Sequence, residues 1–92
     1  MDVFAEIAQK IILEQQGIIG PVALEQAKKV PGLKIDWQNR KFSFEGDRKK
    51  ILESLVSQYE NLFGRASVEV CKDAVKGMIS KVPSDQLPYS LR

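Results

Sequence analysis

Leu33-Lys34-Ile35-Asp36-Trp37-Gln38-Asn39-Arg40-Lys41-Phe42-Ser43-Phe44-Glu45 is the stretch where the hydrophobic period changes from about 3.6 residues to about 2. Leu33, Ile35 and Trp37 alternate with Lys34 and Asp36, and Phe42 and Phe44 alternate with Ser43 and Glu45. Alternation sends successive side chains to opposite faces of a strand, so the stretch reads as a β-hairpin over 33–45 turning around Gln38–Lys41. A two-residue loop at Asn39 and Arg40 would set Trp37 opposite Phe42 and Ile35 opposite Phe44. Arg40 suits a type I′ turn poorly because φ is positive there, and a longer loop satisfies the same pattern. In either case one face is rich in aromatics and requires helices to cover it.

Both flanks supply helices. Asp2 is a suitable N-cap, and Phe4, Ile7, Ala8, Ile11 and Ile12 recur at helical spacing, which predicts a first helix over Val3–Gln16. A break over Gly17–Gly20 follows. Pro21 then opens a second helix through Val22, Leu24 and Ala27, which must stop near Lys29 because Pro31 disfavours the helical conformation at Val30. Beyond the hairpin, Asp47 caps a third helix with Ile51, Leu52, Leu55, Tyr59 and Leu62 along one stripe. Gly64 ends it, and a fourth helix over Arg65–Ser80 buries Val68, Cys71, Val75, Met78 and Ile79. The last stretch, Val82–Arg92, holds two prolines and two serines without a helical pattern. It reads as a C-terminal tail touching the fold through Leu87 and Tyr89. The expectation is a single, mainly α domain over 1–81 in the order α-α-β-β-α-α, followed by a tail over 82–92.

A shift of 44 residues superposes the two helical pairs, about 3–30 and 47–80. Ile7 falls on Ile51, Ile11 on Leu55, Ile18 on Leu62, Gly20 on Gly64, Glu25 on Glu69 and Lys28 on Lys72. Identity is confined to four positions between 7–30 and 51–74, but the apolar positions and the glycine break coincide. Two pseudo-repeated helix–glycine–helix hairpins are therefore expected, with the β-hairpin inserted between them. The turn Ile18-Ile19-Gly20-Pro21-Val22-Ala23 is similar to turns in small helical segments attached to bacterial signalling proteins. The similarity spans six residues and carries no functional residue across.

Composition narrows the chemistry. With 92 residues the chain suits one domain, and a 43% hydrophobic, 28% charged composition is that of a globular protein. There is no histidine, which removes the commonest general base and metal ligand together. The single cysteine, Cys71, has no partner for an intramolecular disulfide and sits among Val68, Val70, Ala74 and Val75 as a small core residue. That points to a reducing, cytoplasmic setting. Glu6, Lys10 and Glu14 interrupt the first helix too often for a signal peptide, and no stretch of ~20 apolar residues offers a membrane span. Phosphate-binding glycine loops, zinc patterns and nucleophile elbows are missing from the sequence. Glu25 with Lys28, and Glu69 with Lys72, read as surface ion pairs. No enzyme, metal or cofactor is expected.

One charge feature needs an explanation. Lys28, Lys29, Lys34, Arg40, Lys41, Arg48, Lys49 and Lys50 crowd into 23 residues, opposed by Asp36, Glu45 and Asp47. Arg48, Lys49 and Lys50 fall in the first turn of the third helix, where the macrodipole favours negative charge. A solvated face explains the segment; so does an incoming anion, for which cations and free N–H groups would converge. The candidate anion- or partner-binding residues are accordingly Arg40, Lys41, Arg48, Lys49 and Lys50. The leading expectation is a non-enzymatic protein-interaction or adaptor module in bacterial signalling, homodimeric or binding a protein with an acidic surface. The alternative is a nucleic-acid-binding protein that uses Gln16–Gly20 as a helix-turn-helix bend and the basic hairpin as a wing. A small-ligand pocket between the halves is a third option, without sequence support.

Overall fold

The computed structural model describes residues 2–92. Its elements are α1 (Val3–Ile19), α2 (Val22–Ala27), β1 (Leu33–Asp36), β2 (Lys41–Phe44), α3 (Arg48–Phe63) and α4 (Arg65–Val75). Three single-turn 3₁₀ helices follow at Ile79–Lys81, Ser84–Gln86 and Tyr89–Leu91. The molecule is thus mainly helical, with a two-stranded antiparallel hairpin between the two helical pairs.

Both long helices start where a carboxylate caps them. Asp2 accepts from the Ala5 N–H at 2.9 Å, and Asp47 from the N–H groups of Lys49 and Lys50 at 2.9 and 3.2 Å. Helix α1 runs through Gly17, a residue expected to break it, and ends three residues later at Gly20. A solvent-exposed glycine inside a helix costs about 1 kcal/mol, too little to stop it before Ile18 and Ile19. The true stops are Gly20 (φ 71°, ψ −151°) and Gly64 (φ 84°, ψ −174°), both in a backbone region that is essentially glycine-only. At each stop the glycine N–H closes the preceding helix, on Gln16 and Glu60 respectively. Each glycine carbonyl then accepts from the N–H three residues on, Ala23 at 3.0 Å and Ser67 at 3.1 Å.

The helical pairs share one core, in which Ile7, Ile11, Ile12, Leu52, Leu55, Tyr59, Cys71 and Val75 are fully buried. Two hydrogen bonds to backbone carbonyls cross between the pairs inside it. Gln15 Nε2 donates to the Ser67 carbonyl at 3.1 Å, and the Tyr59 hydroxyl donates to the Ala23 carbonyl at 2.6 Å. Positions 15 and 59, and 23 and 67, correspond under the 44-residue shift, so each half donates to the matching carbonyl of the other. Beyond these turns the halves differ: α2 has six residues and α4 eleven.

The hairpin register is Leu33↔Phe44, Ile35↔Phe42 and Asp36↔Lys41, two residues from the two-residue-loop expectation. A slip of two keeps every side chain on its expected face, whereas a slip of one would invert the sheet. The loop is the longer one, Trp37–Arg40. Asp36 holds it by accepting from the Asn39 backbone and side-chain nitrogens at 3.3 and 2.8 Å, and Arg40 closes it at φ 53°.

Two C-terminal expectations need correction. Helix α4 stops at Val75, five residues early, where Gly77 weakens it and the chain turns through Lys76–Met78. The stretch 82–92 is also no tail: Val82, Leu87, Pro88 and Leu91 are buried against the helices, whereas Tyr89 points outward. The Cα radius of gyration is 11.7 Å, close to the ~12 Å of a compact chain this long.

Candidate interaction surfaces

The five basic residues singled out in the sequence do not form one cluster. Arg48 turns toward the protein. Its guanidinium lies 3.4 Å from Asp2 and packs over the rings of Phe4 and Phe44, at 5.3 and 5.6 Å from their centres. It clasps the starts of α1 and α3 to β2, mainly through its stem and ring contacts, since a half-exposed ion pair contributes little. The anion site expected at this helix start is already filled: the Asp47 carboxylate takes the Lys49 and Lys50 N–H groups. Lys49 is half-buried and Lys50 exposed.

Arg40 and Lys41 stand at the other end of the hairpin, roughly 10 Å along β2 from Phe44 at strand rise. The Arg40 guanidinium lies 3.9 Å from the centre of the Trp37 ring and donates to the Trp37 carbonyl at 3.1 Å. That stacking offsets part of the cost of a left-handed residue at 40. Trp37 in turn meets Phe42 edge-on at 6.1 Å, and both are half-buried. The hairpin aromatics therefore pack on the domain, as the alternation requires.

Lys41 instead joins three other lysines. Lys28, Lys29 and Lys34, with Lys41, border an open groove of about 800 Å³ between the end of α2 and the hairpin. Asp36 is its one carboxylate, and Val30, Ile35 and Phe42 give it an apolar floor. The Asn39 side-chain and backbone hydrogen bonds hold the Asp36 carboxyl below the usual carboxylate range. Among the described residues the ion pairs are Lys10–Glu14, Lys34–Glu45 and Arg48–Asp2; the expected pairs Glu25–Lys28 and Glu69–Lys72 do not close. The groove was illegible in sequence because its lysines come from three separate elements.

A second surface lies at the opposite end from the Asp2–Arg48 clasp. Helices α1 and α3 both run away from that clasp, and the Gln15–Ser67 and Tyr59–Ala23 bonds tie their far ends together. The two glycine turns therefore lie toward the same end of the molecule. Around them Ile18 is 64% exposed, Leu62 51%, Phe63 40% and Val22 37%. The helical stripe counts Leu62 as core, but it is half-exposed, three residues beyond the buried Tyr59.

Groups suited to covalent chemistry are quiet. Burial pushes the Cys71 thiol up from 9.0 to about 11, only partly offset by the Gln15 amide 3.4 Å from its sulfur. The Ser90 hydroxyl is buried without a hydrogen-bond partner, so no base is placed to take its proton. Among the described residues no group of three or more acidic or cysteine side chains could hold a metal ion. No helix among them is long and apolar enough to cross a membrane. No protein-family model, curated protein or solved structure matches the chain.

Proposed function

We propose that this protein is a non-enzymatic cytoplasmic interaction module, built on a duplicated helix–glycine–helix scaffold, that associates through the apolar end formed by its two glycine turns. The observation carrying this reading is the exposure of Ile18 and Leu62, at corresponding positions of the two turns, while Ile7, Ile11, Ile51 and Leu55 on the same helices are buried. Exposed apolar side chains that the core does not need mark contact sites on small proteins. The reciprocal Gln15 and Tyr59 hydrogen bonds support the duplication, and a patch repeated about a pseudo-twofold suits a second copy of the chain. Four partly exposed side chains amount to far less than the ~800 Å² per partner of a stable dimer, so the association is weak and concentration-dependent.

Sedimentation velocity over a concentration series tests this. The wild type is expected to shift toward dimer at high concentration. An Ile18→Lys/Leu62→Lys variant should stay monomeric with thermal stability nearly unchanged, because neither side chain is in the core. A wild type that remains monomeric throughout removes the reading.

Nucleic-acid binding has less support. Helix α2 is only six residues long, and Gln26, its one base-reading side chain, accepts from Gln58 at 2.7 Å. Trp37 carries Arg40 on its ring instead of offering a free stacking face.

A further inference from the structure

The basic groove borders β1, along which Leu33 is buried, Ile35 half-buried, and Lys34 and Asp36 exposed. The sheet has two strands, so β1 pairs on one side only. The Glu45 N–H donates to the Gly32 carbonyl at 2.7 Å, which sets the phase of the ladder: positions 34 and 36 exchange bonds with 43 and 41. Leu33 and Ile35 therefore turn their backbone groups away from β2. The Leu33 N–H is taken by the Val30 carbonyl at 3.2 Å. Among the described residues, the Leu33 carbonyl and the Ile35 N–H and carbonyl meet no partner.

From this edge and its charge we infer that β1 accepts an extended acidic segment of another protein as a third strand. Main-chain bonds to Leu33 and Ile35 would provide the attachment, and alternate side chains the selectivity. One set would rest on the apolar floor of Val30, Ile35 and Phe42, and the other would meet Lys28, Lys29 and Lys41. Those three lysines form no ion pair among the described residues, and Lys34 has only a loose, exposed contact with Glu45 at 3.8 Å. Four cations against the Asp36 carboxylate and the exposed Glu45 leave this edge net positive, which favours an acidic occupant. A nucleic acid could answer the charge but lacks the regular N–H and carbonyl row that the open edge calls for. This surface is separate from the apolar end, and either can fail without the other.

The test is fluorescence anisotropy at low salt with a labelled peptide of alternating Glu and Val, about eight residues long to match a strand. Two further peptides carry N-methyl groups on every Glu or on every Val. Wild-type protein should bind the parent peptide, and a Lys28→Gln/Lys29→Gln/Lys41→Gln variant should bind it about tenfold more weakly or worse. Only one of the two methylated peptides should lose binding, because alternate N–H groups of an added strand face its neighbour while the others face away. The Ile35 amide should exchange more slowly in the complex, and the Ile18→Lys/Leu62→Lys variant should bind normally. Equal binding of both methylated peptides, no binding of the parent, or tighter binding of labelled oligo-dT than of the peptide would each overturn the inference.

Discussion

Gln15 and Tyr59 are chemically unlike, yet each reaches out of one helical pair to a buried carbonyl of the other. The bonds matter because a carbonyl lone pair in a dry interior has no water to turn to. Tyr59→Phe keeps the ring and removes only the hydroxyl, so it should cost about 1 kcal/mol in urea denaturation, the net worth of one buried hydrogen bond. No change would mean that the Ala23 carbonyl does not need its second donor. Cys71, beside Gln15, gives a pH signature. Its thiol stays protonated in the fold up to about 11, whereas in the unfolded chain it ionises from about its ordinary 9.0. The unfolded state then binds fewer protons, so the contribution of Cys71 is complete below pH 9 and is lost as pH climbs toward 11. Burial shifts the Tyr59 phenol upward too, so it acts in the same sense at higher pH. Urea midpoints should fall above pH 9, less steeply in Cys71→Ala. At pH 8 a thiol reagent should label Cys71 only after unfolding.

At the scale of elements, the glycine stops decide where each helical pair folds over. A Cβ built on Gly20 or Gly64 meets no atom within 4 Å, so space is not the constraint; the dihedrals are. Gly20→Ala and Gly64→Ala should each destabilise the protein by about 1–3 kcal/mol, the strain of a side chain in that backbone region. Similar losses at both sites, measured by chemical denaturation, are expected from turns of one geometry. A loss at Gly64 alone would show that the short α2 pair tolerates another turn. These stops were legible because Gly20 and Gly64 fell in register, as were both aspartate caps and the faces of the hairpin. Register was not legible, because a slip of two leaves the hydrophobic pattern intact and the choice rests on Asp36 gripping Asn39. How the basic residues group in space was not legible for a related reason. Sequence proximity grouped Arg48–Lys50 with Arg40 and Lys41, but Asp47 and Asp2 had already engaged the helix start.

For the whole molecule, the decisive addition is the C-terminal stretch, which periodicity could not reveal because its apolar residues hang on single 3₁₀ turns. Pro83 and Pro88 each precede such a turn, with extended ψ of 141° and 140°, and so redirect the chain at intervals that match no helix or strand period. The result closes the core over α3 and α4 from outside, with Leu87 and Leu91 inserted and Tyr89 left in solvent. That contrast is testable within five residues of chain. Leu91→Ala removes a fully enclosed side chain and should cost about 2–4 kcal/mol, as for any large-to-small change in a core. Leu87→Ala should cost nearly as much. Tyr89→Ala, at 79% exposure, should stay within about 0.5 kcal/mol of wild type. Thermal or urea denaturation of the three variants reads the difference directly. If all three were silent, residues 82–92 would be the loose tail that their composition suggests, and the domain would end near Lys81. A large loss at Leu91 and Leu87 but not at Tyr89 would make the last eleven residues part of what this small chain needs to fold.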